Sequence, residues 1–168
     1  MPMLEEASEA PRIRVSPSAP LELMWLLHNF QAKHVLSGPY ATLEPIREEL
    51  RPQLSSFWSD GVRGYTETIV LSERSGTTID LDLDNFFARL DEAIEAKAGS
   101  PSLLSERLSE RHAIEIRLRR LRDDRDLRER YRALLLSVWE PLRPEWEAVG
   151  RDSVVAAAAD WNRRLAEG

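Results

Sequence analysis

The chain carries 168 residues, with 29 acidic and 23 basic side chains, a net charge of −6, ten prolines and no cysteine. About 150 residues make an ordinary domain, and a chain of this size can bury on the order of 70% of its unfolded surface without a metal or disulfide staple. The missing cysteines exclude thiolate zinc sites, disulfides and cysteine nucleophiles, and the acidic balance argues against direct nucleic-acid binding by this chain.

The N-terminal residues place Glu5, Glu6 and Glu9 among prolines, the reverse of a basic-then-apolar leader. The most nearly apolar run, residues 21–30, contains Glu22, His28 and Asn29 and falls short of the roughly 20 residues a membrane span requires. A cytoplasmic protein with no membrane partner is expected.

Residues 1–15 read as a frayed or extended arm, with alternation at 12–15 before Ser16-Pro17. From Pro20, the set Leu23, Leu26, Leu27 and Phe30 predicts a helix to about Val35, stopped by Ser37-Gly38-Pro39. Leu43, Ile46, Leu50, Leu54 and Phe57 form a second stripe, in which Pro52 predicts a kink or two shorter helices meeting at Arg51. Residues 64–74 read as helix, although Thr66, Thr68, Ile69 and Val70 also permit a strand.

Asp82 or Asp84 is expected to cap a helix with the face Leu83, Phe86, Phe87, Leu90 and Ile94. Residues 98–101, Ala-Gly-Ser-Pro, read as a linker-like turn. Apolar spacing then continues through Leu103, Leu104 and Leu108, through Ile114, Leu118 and Leu121, and through Leu127, Tyr131, Leu134, Leu135 and Val138, before Pro141 and Pro144 interrupt. A last helix carries Trp146, Val149, Val154, Ala157, Ala158, Trp161 and Leu165, with Gly150 a candidate break. The expectation is an all-α, single-domain irregular bundle of seven or eight helices spanning residues 16–168 behind the arm.

Little in this pattern carries catalysis. Asp80, Asp82 and Asp84 fall at alternate places of a calcium-loop template, but Asn85 stands where the loop needs glycine, and helix capping is the favoured role. His28 and His34 lie roughly 240° apart on a regular helix and cannot share a metal. No serine sits in a nucleophile elbow and no glycine-rich loop follows a strand. Residues 106–132 hold ten arginines against seven acids, interleaved as in a solvated helix pair laced with ion pairs. No enzyme activity, metal or cofactor is expected.

Five tryptophans are the feature most open to function. Among the aromatic residues, Trp25, Trp58, Tyr65 and Phe86 are the candidates to line an apolar effector cavity between helices. The bland reading of the same residues is core packing. The Ala-rich face 156–159 beside Trp161 suits close packing in a homodimer.

Several patches, taken in order, resemble a known family. They are Arg-Ile-Arg-Val-Ser-Pro at 12–17, Leu-Glu-Leu-Met-Trp-Leu-Leu at 21–27, residues 68–76, Asp-Leu-Asp-Asn-Phe-Phe at 82–87, Val138-Trp139, Trp146 and residues 162–168. Together they resemble the helical N-terminal domain of some ArsR-like winged-helix transcriptional regulators of high-GC bacteria. The resemblance implies an effector-sensing or dimerising domain, without catalysis, whose winged-helix DNA-binding partner lies in cis or in trans. It gives no DNA-contacting residue here, because the sequence shows no winged-helix segment, and no arsenic or zinc site, because the cysteines are missing. The alternative is a stand-alone interaction or scaffold domain with a filled core.

Overall fold

The computed structural model describes residues 14–32, 35–36, 38–96 and 111–167. Expectations for residues 1–13, His34, Ser37, the 98–101 turn and Leu103, Leu104 and Leu108 lie outside the described residues. The order is α1 (Ala19–Gln31), a 3-10 turn (Gly38–Leu43), α2 (Glu44–Ser59), α3 (Tyr65–Arg74), α4 (Asp84–Glu95), α5 (Arg111–Asp123), α6 (Arg125–Glu145), a π turn (Trp146–Gly150) and α7 (Arg151–Glu167). No strand occurs among the described residues. Since α6, the π turn and α7 run on without a break, six helical rods result among the described residues, slightly under the expected seven or eight. Among the described residues no helix is long and apolar enough to cross a membrane.

Helix α1 starts where Ser18 Oγ accepts the Leu21 amide at 3.2 Å, with proline in the first turn. It buries Leu23, Leu26, Leu27 and Phe30 and ends at Gln31, with Ala32 extended. The expected continuation to Val35 does not form. On a continued helix Leu36 would stand on the side opposite Phe30; leaving the helix lets Leu36 bury, and its amide donates to Glu44 Oε1 at 2.7 Å.

The prolines also behave differently from expectation. Pro52 lies inside one continuous α2, and Pro141 and Pro144 lie inside α6. All three are on exposed positions, where water can serve the carbonyl that each leaves without a donor. Buried Leu50, Leu54 and Phe57 around Pro52, and Val138, Trp139 and Leu142 around Pro141, hold the rods together from the inner side. Gly150 does not break the last helix; it closes the π turn.

Residues 65–74 form helix rather than strand. Gly64, at φ +86°, redirects the chain into α3, and its amide donates to Glu67 Oε2 at 2.8 Å, so the helix is capped from within. At α4 the capping role shifts by one residue. Leu83 holds the cap position without a side-chain bond, while Asp82 Oδ1 accepts the Asp84 amide at 3.0 Å.

Helix α3 packs along α1 and also touches α4 and α5, while α6 packs on α1, α2 and α5. One contiguous core results, reaching from Leu23 and Leu27 through Leu71, Phe86 and Leu90 to Tyr131, Leu135, Trp139 and Trp146. Trp146 Nε1 donates to the Leu81 carbonyl at 2.7 Å, and its ring meets Trp139 edge-on. Of the expected arm only residues 14 and 15 are described, in a stretch at 14–18 without regular secondary structure. It makes no strand pairing. Instead Asn162 of α7 holds both backbone groups of Val15, accepting the amide at 2.7 Å and donating to the carbonyl at 2.8 Å.

Candidate ligand groove

The four aromatic candidates do not surround one interior cavity. Phe86 is fully buried and meets Phe87 edge-on within the core, so it is a packing residue. Trp25 is 50% exposed and Trp58 56% exposed. The reason is angular: Trp25 lies roughly 150° from the centre of the Leu23, Leu26, Leu27 and Phe30 face, and Trp58 roughly 80° from that of Leu50, Leu54 and Phe57. Trp58 thus flanks the apolar face of its helix and Trp25 opposes its own. Trp161 is likewise 56% exposed.

Trp58 instead forms one wall of an open groove of about 400 Å³ between the end of α1 and the second half of α2, lined by Phe30, Gln31, Ala32, Arg51, Leu54, Ser55 and Trp58. Phe30 and Leu54 are buried and form an apolar floor. Ser55 and Arg51 stand on α2, three and seven residues before Trp58, which puts them on successive turns of the same side. The volume falls within the range of about 300–1,000 Å³ usual for small-molecule sites.

Gln31 joins the groove lining to the neighbouring loop. Its Nε2 donates to the Arg63 carbonyl at 2.5 Å, which fixes the amide orientation. The remaining Oε1 is buried and meets no donor. A buried acceptor in that state costs about 1–3 kcal/mol until it is paired. Arg51 pairs with Glu48 one turn away, with both side chains more than half exposed, so its charge stays mobile at the rim.

A second aromatic set lies earlier on α1, outside the groove lining. The His28 ring stacks on Trp25 with 5.9 Å between centroids and meets Tyr65 edge-on at 5.0 Å. Of the four candidates, Trp25 and Tyr65 are thus joined through His28, Trp58 lines the groove, and Phe86 takes no part.

The polar centre of the fold was not foreseen. Arg117 on α5 donates through Nε to the Glu67 carboxylate and through Nη2 to Thr66 Oγ1 at 3.1 Å. Tyr131 of α6, fully buried, lies with its hydroxyl 3.3 Å from both Thr68 Oγ1 and the Gly64 carbonyl. Burial, with the Glu67 charge beside it, holds the Tyr131 phenol far above its ordinary pKa of 10.0, so it stays a neutral hydroxyl. These groups satisfy one another inside the core. The arginine-rich segment therefore has two parts: Arg117 is buried, while Arg125–Glu129, Arg128–Glu95, Arg130–Asp60 and Arg132–Asp91 pair at 2.9–3.0 Å toward the surface.

Among the described residues no cluster of three or more His, Asp or Glu is arranged to hold a metal. Comparison with known protein families, with characterised proteins and with solved structures returns no match.

Proposed function

We propose that this chain is a sensing domain that binds a small, largely apolar effector in the groove beside Trp58, without catalysis, and that it serves a winged-helix transcriptional regulator in cis or in trans. The regulator part rests on the sequence resemblance alone. The sensing part rests on one observation: an open groove of small-molecule size with a half-exposed indole in its lining. Exposed tryptophan in a concave site is ordinary for a binding surface and uneconomical for a filled scaffold.

The mechanism is a shift of population. Gln31 ties α1 to the Arg63 loop, and that loop leads through Gly64 into α3, which touches α4 and α5. An effector that prefers one setting of the α1 end biases the bundle by its difference in affinity between the two settings. A thermal-shift screen tests this. A ligand at 100 times its dissociation constant adds about 2.7 kcal/mol, and Trp58→Ala removes the effect. A screen in which no small molecule stabilises the protein overturns the reading.

A second reading, assembly through the last helix, is favoured by exposed Val155, Trp161 and Leu165 on α7 and by exposed Ala156, Ala157 and Ala159; only Ala158 of that segment is buried within the chain. Light scattering across concentration checks it: a mass of one chain at every concentration removes α7 as an interface.

A further inference from the structure

We infer that α7 pairs end for end with α7 of a second copy of this chain, across Trp161; this rests on the assembly reading above and names its partner and geometry. The inward side of α7 carries Val154, Ala158 and Leu165, which span about 40° of arc. Val154 packs against the core and Ala158 is buried, but Leu165, at an azimuth between theirs, is 46% exposed. The last turns of α7 therefore run past the body, and among the described residues only the π turn packs extensively on this helix. Trp161, 56% exposed, lies about 40° from Leu165 on one side and about 40° from exposed Ala157 on the other. An indole between a leucine and a small alanine on an uncovered helix end has the makeup of an interface anchor.

Charge selects the partner. Asp160 and Arg164 border this face along the same edge and pair at 2.8 Å within the helix, and the Arg164 guanidinium lies over the Trp161 ring at 5.8 Å. Arg163 reaches Asp160 and Glu167 from the outer side of the helix. The edge beside Trp161 thus runs from negative to positive toward the C-terminus. A matching helix must present the reverse order. This same helix does so when turned end for end about the level of Trp161 and Asn162, with Asp160 of each copy opposite Arg164 of the other. Covering the two indoles then strands no charge, since each ion pair is exchanged for an equivalent one.

A contact between two single helices is small beside the roughly 1,600 Å² of a standard interface, so sedimentation equilibrium of the whole chain is expected to show a reversible dimer in the micromolar range. Trp161→Ala is expected to weaken it roughly thirtyfold with helical circular dichroism unchanged. Asp160→Arg and Arg164→Asp should each weaken self-pairing about tenfold, and an equal mixture of the two should recover it. The chain has no cysteine, so introduced thiols report orientation. Ala157→Cys mixed with Leu165→Cys is expected to cross-link on mild oxidation, while Ala157→Cys alone does not, its two copies lying about 13 Å apart along the pair. If the chain dimerises but Trp161→Ala pairs as the parent does, the charge mixture fails to recover, or Ala157→Cys links to itself, the end-for-end pairing is overturned and assembly by another contact remains. A mass of one chain at every concentration removes both.

Discussion

The guanidinium of Arg117 lies against the carboxylate of Glu67, and both side chains are buried between α5 and α3. Glu67 spends its other oxygen on the Gly64 amide, and Arg117 a further N–H on Thr66. The pair therefore joins the start of α3 to the middle of α5. Arg117→Ala is expected to destabilise the fold by about 3–5 kcal/mol, because it strands a carboxylate away from water. Urea denaturation measures this, and a loss under about 1 kcal/mol contradicts the role.

Alkaline pH gives a second expectation. The Tyr131 phenol is raised by burial and by Glu67, and that of Tyr40 by burial and by the hydrogen bond to Glu22, which accepts at 2.5 Å. Each titrates near its ordinary value of 10.0 once unfolded and stays protonated when folded. Their contribution is complete below about pH 10 and declines as pH rises above it, since only the unfolded state releases the protons. Tyr131→Phe should cost about 0.5–1.5 kcal/mol at neutral pH and flatten part of the alkaline decline. Chemical denaturation at pH 8 and pH 11 compares the two proteins.

Gly64 supplies a backbone test near the groove. Its φ of +86° disfavours any residue with a Cβ, although the nearest atom such a Cβ would meet, Gln31 Nε2, is 3.9 Å away. The cost of Gly64→Ala is therefore conformational, about 1–2 kcal/mol. It should appear as a lower melting temperature with the ligand contacts of the groove intact.

The tryptophans should divide into two groups. Trp139→Ala removes a fully buried ring and is expected to cost about 3–5 kcal/mol. Trp25→Ala and Trp58→Ala should each stay within about 1 kcal/mol of the parent, as surface positions do. Denaturation midpoints decide this, and a large loss at Trp58 would make it a core residue instead of a groove wall.

That division marks where sequence reading succeeds and where it stops. The stripes Leu23–Leu26–Leu27–Phe30, Leu50–Leu54–Phe57 and Leu134–Leu135–Val138 carry their own period, and each forms the inner face of a helix. Apolar spacing does not reveal how a helix side is finally covered, so Trp25 and Trp58 read as lining for one interior cavity although they lie opposite and beside the buried stripes. Pro52, Pro141 and Pro144 read as interruptions because their local cost is visible and the packing that outweighs it is not. The union of Glu67 with Arg117 spans 50 residues of chain, and that of Val15 with Asn162 spans 147; no local pattern announces either. A glutamate three places after Gly64 was the one available hint of a capped start at α3. For the groove, Trp58 was named in advance, but Gln31, Arg51 and Ser55 were not. Their relevance depends on α1 ending early enough to open a space against α2.

The π turn at Trp146–Gly150 sets the azimuth of everything that follows it. One surplus residue in a helical turn rotates the downstream rod by about 100°, and with that rotation Val154 and Ala158 face inward while Asn162 meets Val15. Deleting Val149 would dial α7 back by the same angle, swinging its alanines to the body and parting the arm from its clasp, with the rod itself still helical. The heading of the final helix thus hangs on the count of residues in a single coil.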